Sequence, residues 1–331
     1  MWQSPLRVPF RGLTSREGML LRGRLGWGEF SPFWDYDDDS AARWLACASE
    51  QANEGWPKPV RLSIPVNVTV PAVSPGIAKQ LVQNGGGCRT AKVKVAQRDS
   101  AQRVEAIETE VARIVAVRQA LDAQFGPGKG KIRVDANGAW TVAEAVAHLR
   151  ELNQVAGGLE YAEQPCATVE ELAELRQALR RAKVDVLVAA DESIRRAADP
   201  YRVKELNAAD VVVLKVAPLG GVRAALQLAK DIGLPVVVSS ALESSIGLAA
   251  GLALAGALPE LPFACGLATA SLLMHDAAAD PLLPINGELP VLRPDDLRLN
   301  PAASGIESRE LDAELTAKWR ARLARVATIA A

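Results

Sequence analysis

The strongest constraint on this chain is a repeat. From about residue 60, a short β-branched run, a distinct residue at its end and an amphipathic helical stretch follow one another again and again. The runs cover residues 62–70, 91–95, 131–135, 159–163, 186–191, 211–216, 236–240 and 263–266. The residues ending the second to the eighth run are Lys94, Asp135, Glu163, Asp191, Lys215, Ser239 and Gly266, separated by 41, 28, 28, 24, 24 and 27 residues. Strands that alternate with helices are parallel, since only a crossover returns the chain in the same direction. Eight units of this length predict a closed (β/α)₈ TIM-type barrel, whereas an open doubly wound sheet stops more often at about five to seven strands. Between the runs, stretches such as 102–124, 141–155, 169–181, 222–232 and 244–258 carry apolar residues at helical spacing.

The flanks read differently. Residues 20–30 predict two short antiparallel strands, and residues 40–54 a helix. Beyond residue 280 a Pro-rich stretch holds a further strand at 289–292, and residues 310–327 form an amphipathic helix. Residues 1–60 with about 281–331 are therefore expected to build a small α+β capping domain, and 61–280 the catalytic barrel; 331 residues suffice for both. Lys plus Arg total 38 against 39 Asp plus Glu, a net charge of −1, so no overall field draws in nucleic acid or a membrane surface. The apolar run 246–258, broken by glycines, is too short to cross a bilayer and predicts a buried helix. Cys47, Cys88, Cys166 and Cys265 show no CxxC spacing, and no signal-peptide pattern opens the chain, so a cytoplasmic home is expected. The expected partner is a small-molecule carboxylate, bound by a monomer.

Barrel strands are sheathed outside and packed inside, so charged residues on them need a reason. Asp135, Glu163 and Asp191 end three consecutive strands, each after an apolar run. A lone acid there more often caps the next helix. Three in succession converge on the C-terminal mouth, where a hard cation must neutralise them, and oxygen ligands of this kind suit Mg²⁺, with Mn²⁺ as a substitute. Glu192 is the alternative to Asp191, but adjacent strand residues point to opposite faces. In Ala91-Lys92-Val93-Lys94-Val95 the two lysines share a face, and Lys215 ends strand six, across the barrel. Two partly desolvated ammonium groups each lower the other's pKa, which fits a lysine for work as a base, Lys94 being nearer the mouth. His148 and His275 end no strand, and no GxSxG elbow is present. The 126–131 loop follows a helix and lacks the Ser or Thr of a phosphate loop, so it reads as a turn. Gly220-Gly221 opens a helix and suits either an anion or plain helix entry.

With these residues in place, the chain resembles the muconate-lactonising subgroup of the enolase superfamily. The likeness lies in the K-x-K of strand two, the Asp, Glu and Asp of strands three to five, and the strand-six lysine. Within it the chain is similar to the actinobacterial o-succinylbenzoate synthase family. The segments that carry this are Gly26-Trp27-Gly28-Glu29-Phe30, Asp135-Ala136-Asn137-Gly138, Glu163-Gln164-Pro165-Cys166, Ala190-Asp191-Glu192-Ser193 and Leu214-Lys215-Val216-Ala217-Pro218. The resemblance implies loss of water from 2-succinyl-6-hydroxy-2,4-cyclohexadiene-1-carboxylate, in menaquinone biosynthesis. It implies Lys94 as base and then acid, Lys215 facing the other side of the ring, and Asp135, Glu163 and Asp191 on the metal. It also implies that Lys92 holds the carboxylate and tunes Lys94, and that Ser239, Ser240 and Gly266 hold the succinyl tail. An N-acylamino-acid racemase or dipeptide epimerase on the same scaffold is the nearest alternative. A Schiff-base aldolase acting through Lys215 and a barrel that only binds ligand are more distant ones.

Overall fold

A computed structural model describes residues 1–97, 104–197, 199–300 and 313–330. The chain enters as an antiparallel sheet of β1 (Trp2–Phe10), β2 (Leu13–Arg22) and β3 (Trp27–Phe30), in that order. The β2–β3 hairpin lies where residues 20–30 predicted it. Strand β1 is an addition that Pro5 and Pro9 masked; it is an edge strand, where missing amide donors are tolerated. Its buried Trp2, Ser4 and Leu6 alternate with exposed Gln3, Pro5 and Arg7. Helix Asp38–Asn53 follows, started by the Asp37 carboxylate, which accepts from the Ser40 amide at 2.7 Å.

The other chain end joins this layer. On helix Ala313–Ala330 the fully buried Trp319 meets Phe30 edge-on at 6.0 Å, and Arg322 donates to the carbonyls of Pro32, Phe33 and Tyr36. Residues 310–312 of the predicted helix, and 102–103 of the one predicted over 102–124, lie outside the described residues; the latter helix spans Ile107–Phe125.

The barrel begins at β4 (Ser63–Pro65), which pairs antiparallel with β12 (Glu288–Pro290), the strand expected at 289–292. Next come β5 (Asn67–Val70), β6 (Thr90–Lys94), β7 (Lys131–Asp135), β8 (Ala162–Glu163), β9 (Val188–Ala190), β10 (Val211–Leu214) and β11 (Val236–Val238). They form one parallel sheet of seven strands, in sequence order. The eighth stave shrinks to Cys265 and Gly266. Cys265 bonds to Pro65 and Asn67 on one side (2.7 and 2.9 Å), and Gly266 to Val238 and Ser240 on the other (2.8 and 3.0 Å), which closes the cylinder. Helices sheathe it, two of them started by capping boxes, Thr141 with Glu144 and Thr168 with Glu171. The apolar run at 246–258 is the buried helix Ser245–Ala257, and no described helix is long and apolar enough to cross a membrane.

Inside, period-two alternation stacks the side chains in layers. Tyr161, Ala189, Val211, Val213 and Val237 form a core cluster of their own. Arg133 breaks the apolar expectation: fully buried, it pairs with Glu160 at 2.5 Å and lies over the Tyr161 ring at 4.6 Å. One period further along the same staves come the residues that carry the chemistry.

Candidate active site

The alternation that aims Arg133, Tyr161, Ala189, Val213 and Val237 inward also aims Asp135, Glu163, Asp191, Lys215 and Ser239. Asp135 and Glu163 are register partners on adjacent strands, and Lys94 is the partner of Asp135 on its other side. Lys92, Lys94, Asp135, Lys215, Ser239, Ser240 and Gly266 line one chamber at the C-terminal mouth, with Phe10, Arg11 and Phe33 of the capping layer above. Glu163 and Asp191 are fully buried and reach the chamber through their lysine partners. Lys215 stands four staves from Lys94, on the opposite wall.

Every carboxylate is tied to a cation. Lys92 Nζ lies 2.9 and 3.0 Å from the two oxygens of Glu163 and 3.6 Å from Asp135 Oδ2. Lys94 Nζ is 2.5 Å from Asp135 Oδ2 and 2.7 Å from Asn137 Oδ1. Lys215 Nζ is 2.6 Å from Asp191 Oδ2, whose other oxygen takes Arg195 Nε at 3.0 Å. Glu192 turns away to Arg195 and Asn137, which leaves Asp191 as the inward acid.

These pairs set the proton affinities. Burial would raise the Asp135 carboxyl, but Lys94 and Lys92 outweigh it and bring it down to about 2. Glu163, pushed up by burial and by Asp135 against the pull of Lys92, sits at about 7. Asp191 is held well below the carboxylate range: burial opposes this, and Arg195 and Lys215 prevail. Burial lowers Lys215 below the usual lysine range despite Asp191. For Lys92 the expected lowering fails. Burial does act downward, but Glu163 and Asp135 overcome it and raise its pKa.

The donor chemistry fits a hard dication, since three buried carboxylates end adjacent strands within one another's field. The arrangement is not a ready-made cage: among the described residues, no group of three His, Cys, Asp or Glu side chains is drawn together for a metal. The carboxylates are turned onto ammonium and guanidinium groups instead, and a bound ion would compete for those same oxygens.

Residues 77–305 match the enolase C-terminal domain-like family and residues 1–52 the enolase N-terminal domain-like family. The chain is 57% identical to the o-succinylbenzoate synthase of Thermobifida fusca, covering 97% of this chain and 93% of that one. It is 48% identical to the o-succinylbenzoate synthase of Mycobacterium tuberculosis, over 92% of this chain and 88% of the relative. The chain belongs to the o-succinylbenzoate synthase family of the enolase superfamily. Muconate lactonizing enzyme from Pseudomonas fluorescens shares the fold, with a TM-score of 0.74 at 21% identity over 93% of this chain and 97% of that one. So does the L-Ala-D/L-Glu epimerase from Bacillus subtilis, with a TM-score of 0.71 at 22% identity over 88% and 94%. Membership of the enolase superfamily implies a divalent metal.

The o-succinylbenzoate synthase frame also draws in residues that sequence reading missed. Arg195 supports Asp191 and donates to Tyr36 Oη at 2.6 Å, linking the capping layer to the acid; its place four residues after Asp191 on one helical turn was the available signal. Asn137, left-handed at φ 47, reaches back to Lys94 from two residues past Asp135. Thr269 Oγ1 lies 2.6 Å from Ser240 Oγ in the chamber wall. The anion at the Gly220-Gly221 helix entry is the chain's own Glu50, whose carboxylate takes the Val222 amide at 2.6 Å and the Arg223 amide at 3.2 Å.

Proposed function

We propose that the chain removes water from 2-succinyl-6-hydroxy-2,4-cyclohexadiene-1-carboxylate to give o-succinylbenzoate, as a lyase of menaquinone biosynthesis. The proton leaves the ring carbon that bears the carboxylate, the neighbouring C–O bond breaks, and the ring becomes aromatic. Lys94, as the free amine, takes that proton and returns it to the departing hydroxyl, so one group serves both halves of the reaction. Lys215, on the opposite wall, faces the other side of the ring and stabilises the anion that forms. Lys92 neutralises Glu163 and holds the substrate carboxylate near Lys94. Ser239 and Ser240 offer hydroxyl donors, and Gly266 a close-approaching backbone, to the succinyl ketone. Asp135, Glu163 and Asp191 would hold Mg²⁺, or Mn²⁺ in its place, which would supply positive charge to offset the negative charge that builds on the substrate carboxylate.

The observation that carries this reading is the pair of lysines on opposite staves, Lys94 at 2.5 Å from Asp135 and Lys215 at 2.6 Å from Asp191, with the third acid between them. The relatives' names support dehydration over racemisation or epimerisation, which the same lysine pair would also serve. The relatives' names support dehydration over a Schiff-base aldolase as well. The division into a capping domain (1–60 with about 281–331) and a catalytic barrel (61–280) is supported by the docking of helix Ala313–Ala330 on the N-terminal layer. Four buried free cysteines support a reducing cytoplasm, and a monomer is the form we propose.

The test is direct. Addition of the cyclohexadiene acid with Mg²⁺ should bleach its diene absorbance and yield o-succinylbenzoate, while EDTA should stop it. Turnover of an N-acylamino acid with none of the diene would replace this reading with the racemase.

A further inference from the structure

The chamber around the lysines measures about 50 Å³, room for a few waters, while two outer clefts of about 480 and 550 Å³ open beside it. Arg11 lines all three. Arg11 thus stands where the lysine chamber meets both outer clefts, at the exit for the flexible arm of a ring held between Lys94 and Lys215.

Arg11 is also the exchangeable cation. Lys92, Lys94, Lys215 and Arg195 are each bound to a carboxylate that is buried or mostly so. Among the described residues, Arg11 forms an ion pair with Asp35 alone, at 3.3 Å; that carboxylate is 55% exposed and is bound more closely by Arg196, at 2.5 Å. The Phe33 ring, 4.1 Å from the guanidinium carbon, orients the fork.

The backbone points the same way. Arg11 and Gly12 form the two-residue turn between β1 and β2 at φ 54 and 72, a pair of left-handed positions that favours Asn-Gly. Arginine in the first of them is strained, a cost of the sort that concentrates at functional positions.

We propose that Arg11 receives the substrate's second carboxylate, at the end of the succinyl arm, and so selects dicarboxylates; this rests on the dehydration reading above. The terminal carboxylate displaces Asp35, which stays with Arg196, while Ser239 and Ser240 take the ketone. Only hydrogen bonds and ion pairs change.

Calorimetry with Mg²⁺ present compares o-succinylbenzoate with its methyl ester on the aliphatic carboxyl. The wild type should bind the diacid about 10- to 100-fold more tightly than the ester, the range of one charge-assisted hydrogen-bond pair. Arg11→Asn should bind both alike, Arg11→Lys should keep part of the preference, and Arg11→Asn should melt no lower than the wild type because it suits the turn. Retention of the full preference by Arg11→Asn overturns the assignment, and so does an equal loss of affinity for acid and ester. Binding of neither ligand by the wild type overturns the dehydration reading and this assignment with it.

Discussion

Replacing Lys92 with methionine asks what holds three buried acids together. Lys92 places one ammonium 2.9 and 3.0 Å from the oxygens of Glu163 and 3.6 Å from Asp135, and all three residues are at most 5% exposed. Methionine fills much of the space and removes the charge. Breaking a buried pair in this way costs about 3–5 kcal/mol, because the remaining carboxylate keeps its desolvation penalty. At roughly 2–3 °C per kcal/mol for a large domain, metal-free Lys92→Met should melt roughly 6–15 °C below the wild type. The comparison belongs near pH 8, where Glu163 of the wild type, at about 7, is mostly charged; without the downward pull of Lys92 this acid rises further in the variant, and the proton it takes up moves the fall toward the lower end of that range. If the carboxylates are metal ligands, saturating Mg²⁺ replaces the missing charge and should close more than half of the gap. Calorimetric melts of both proteins in EDTA and in Mg²⁺ decide the matter. Melting within about 2 °C of the wild type in EDTA would show that the acids need no ammonium partner. A gap that Mg²⁺ leaves untouched would show that the ion does not bind among them.

Three further outcomes are expected. Lys94→Ala and Lys215→Ala should each cut turnover by about 10³-fold or more with far-ultraviolet circular dichroism unchanged, and near-normal rates in either would remove it from the proton chemistry. Glu29 is buried and accepts from Ser31 Oγ, Ser244 Oγ and the Gly247 amide, and burial pushes its carboxyl up from 4.5 to about 7. The folded state therefore binds this proton more tightly than the unfolded chain, and the contribution is full below 4.5 and lost as pH rises to about 7. The stability of the wild type relative to Glu29→Gln should accordingly fall by up to about 3 kcal/mol between pH values near 4.5 and above 7, whereas a flat or rising difference contradicts it. Trp319→Ala should cost about 3–5 kcal/mol and expose helix Ala313–Ala330 to limited proteolysis before the barrel; simultaneous cleavage of both would show that the helix is not a separable layer.

Much of the barrel was legible because its signal is local. An apolar run with a charged last residue reports both a buried strand and the direction of its mouth, so Lys94, Asp135, Glu163, Asp191 and Lys215 could be placed without coordinates. Strand β1 was not legible, since Pro5 and Pro9 argue against a strand unless its edge position is known. The eighth stave was legible in place but not in length, because Cys265 and Gly266 hold their neighbours by four backbone bonds. Pairing across the mouth was least legible. That Lys92 answers Glu163 rather than simply repelling Lys94 depends on three-dimensional distance, and the sign of its pKa shift depends on it too. Arg11 gave no signal in its residue type, and its position at a left-handed turn over the chamber is visible only in the fold.

The most direct measurement is diffraction from crystals grown with Mn²⁺ and o-succinylbenzoate, using the anomalous signal of the metal. The result expected is one peak within about 2.0–2.4 Å of an oxygen from each of Asp135, Glu163 and Asp191, with Lys94 and Lys215 on opposite faces of the ring. A peak that touches fewer than three of these acids, or a ring with both lysines on one face, would contradict the central claim.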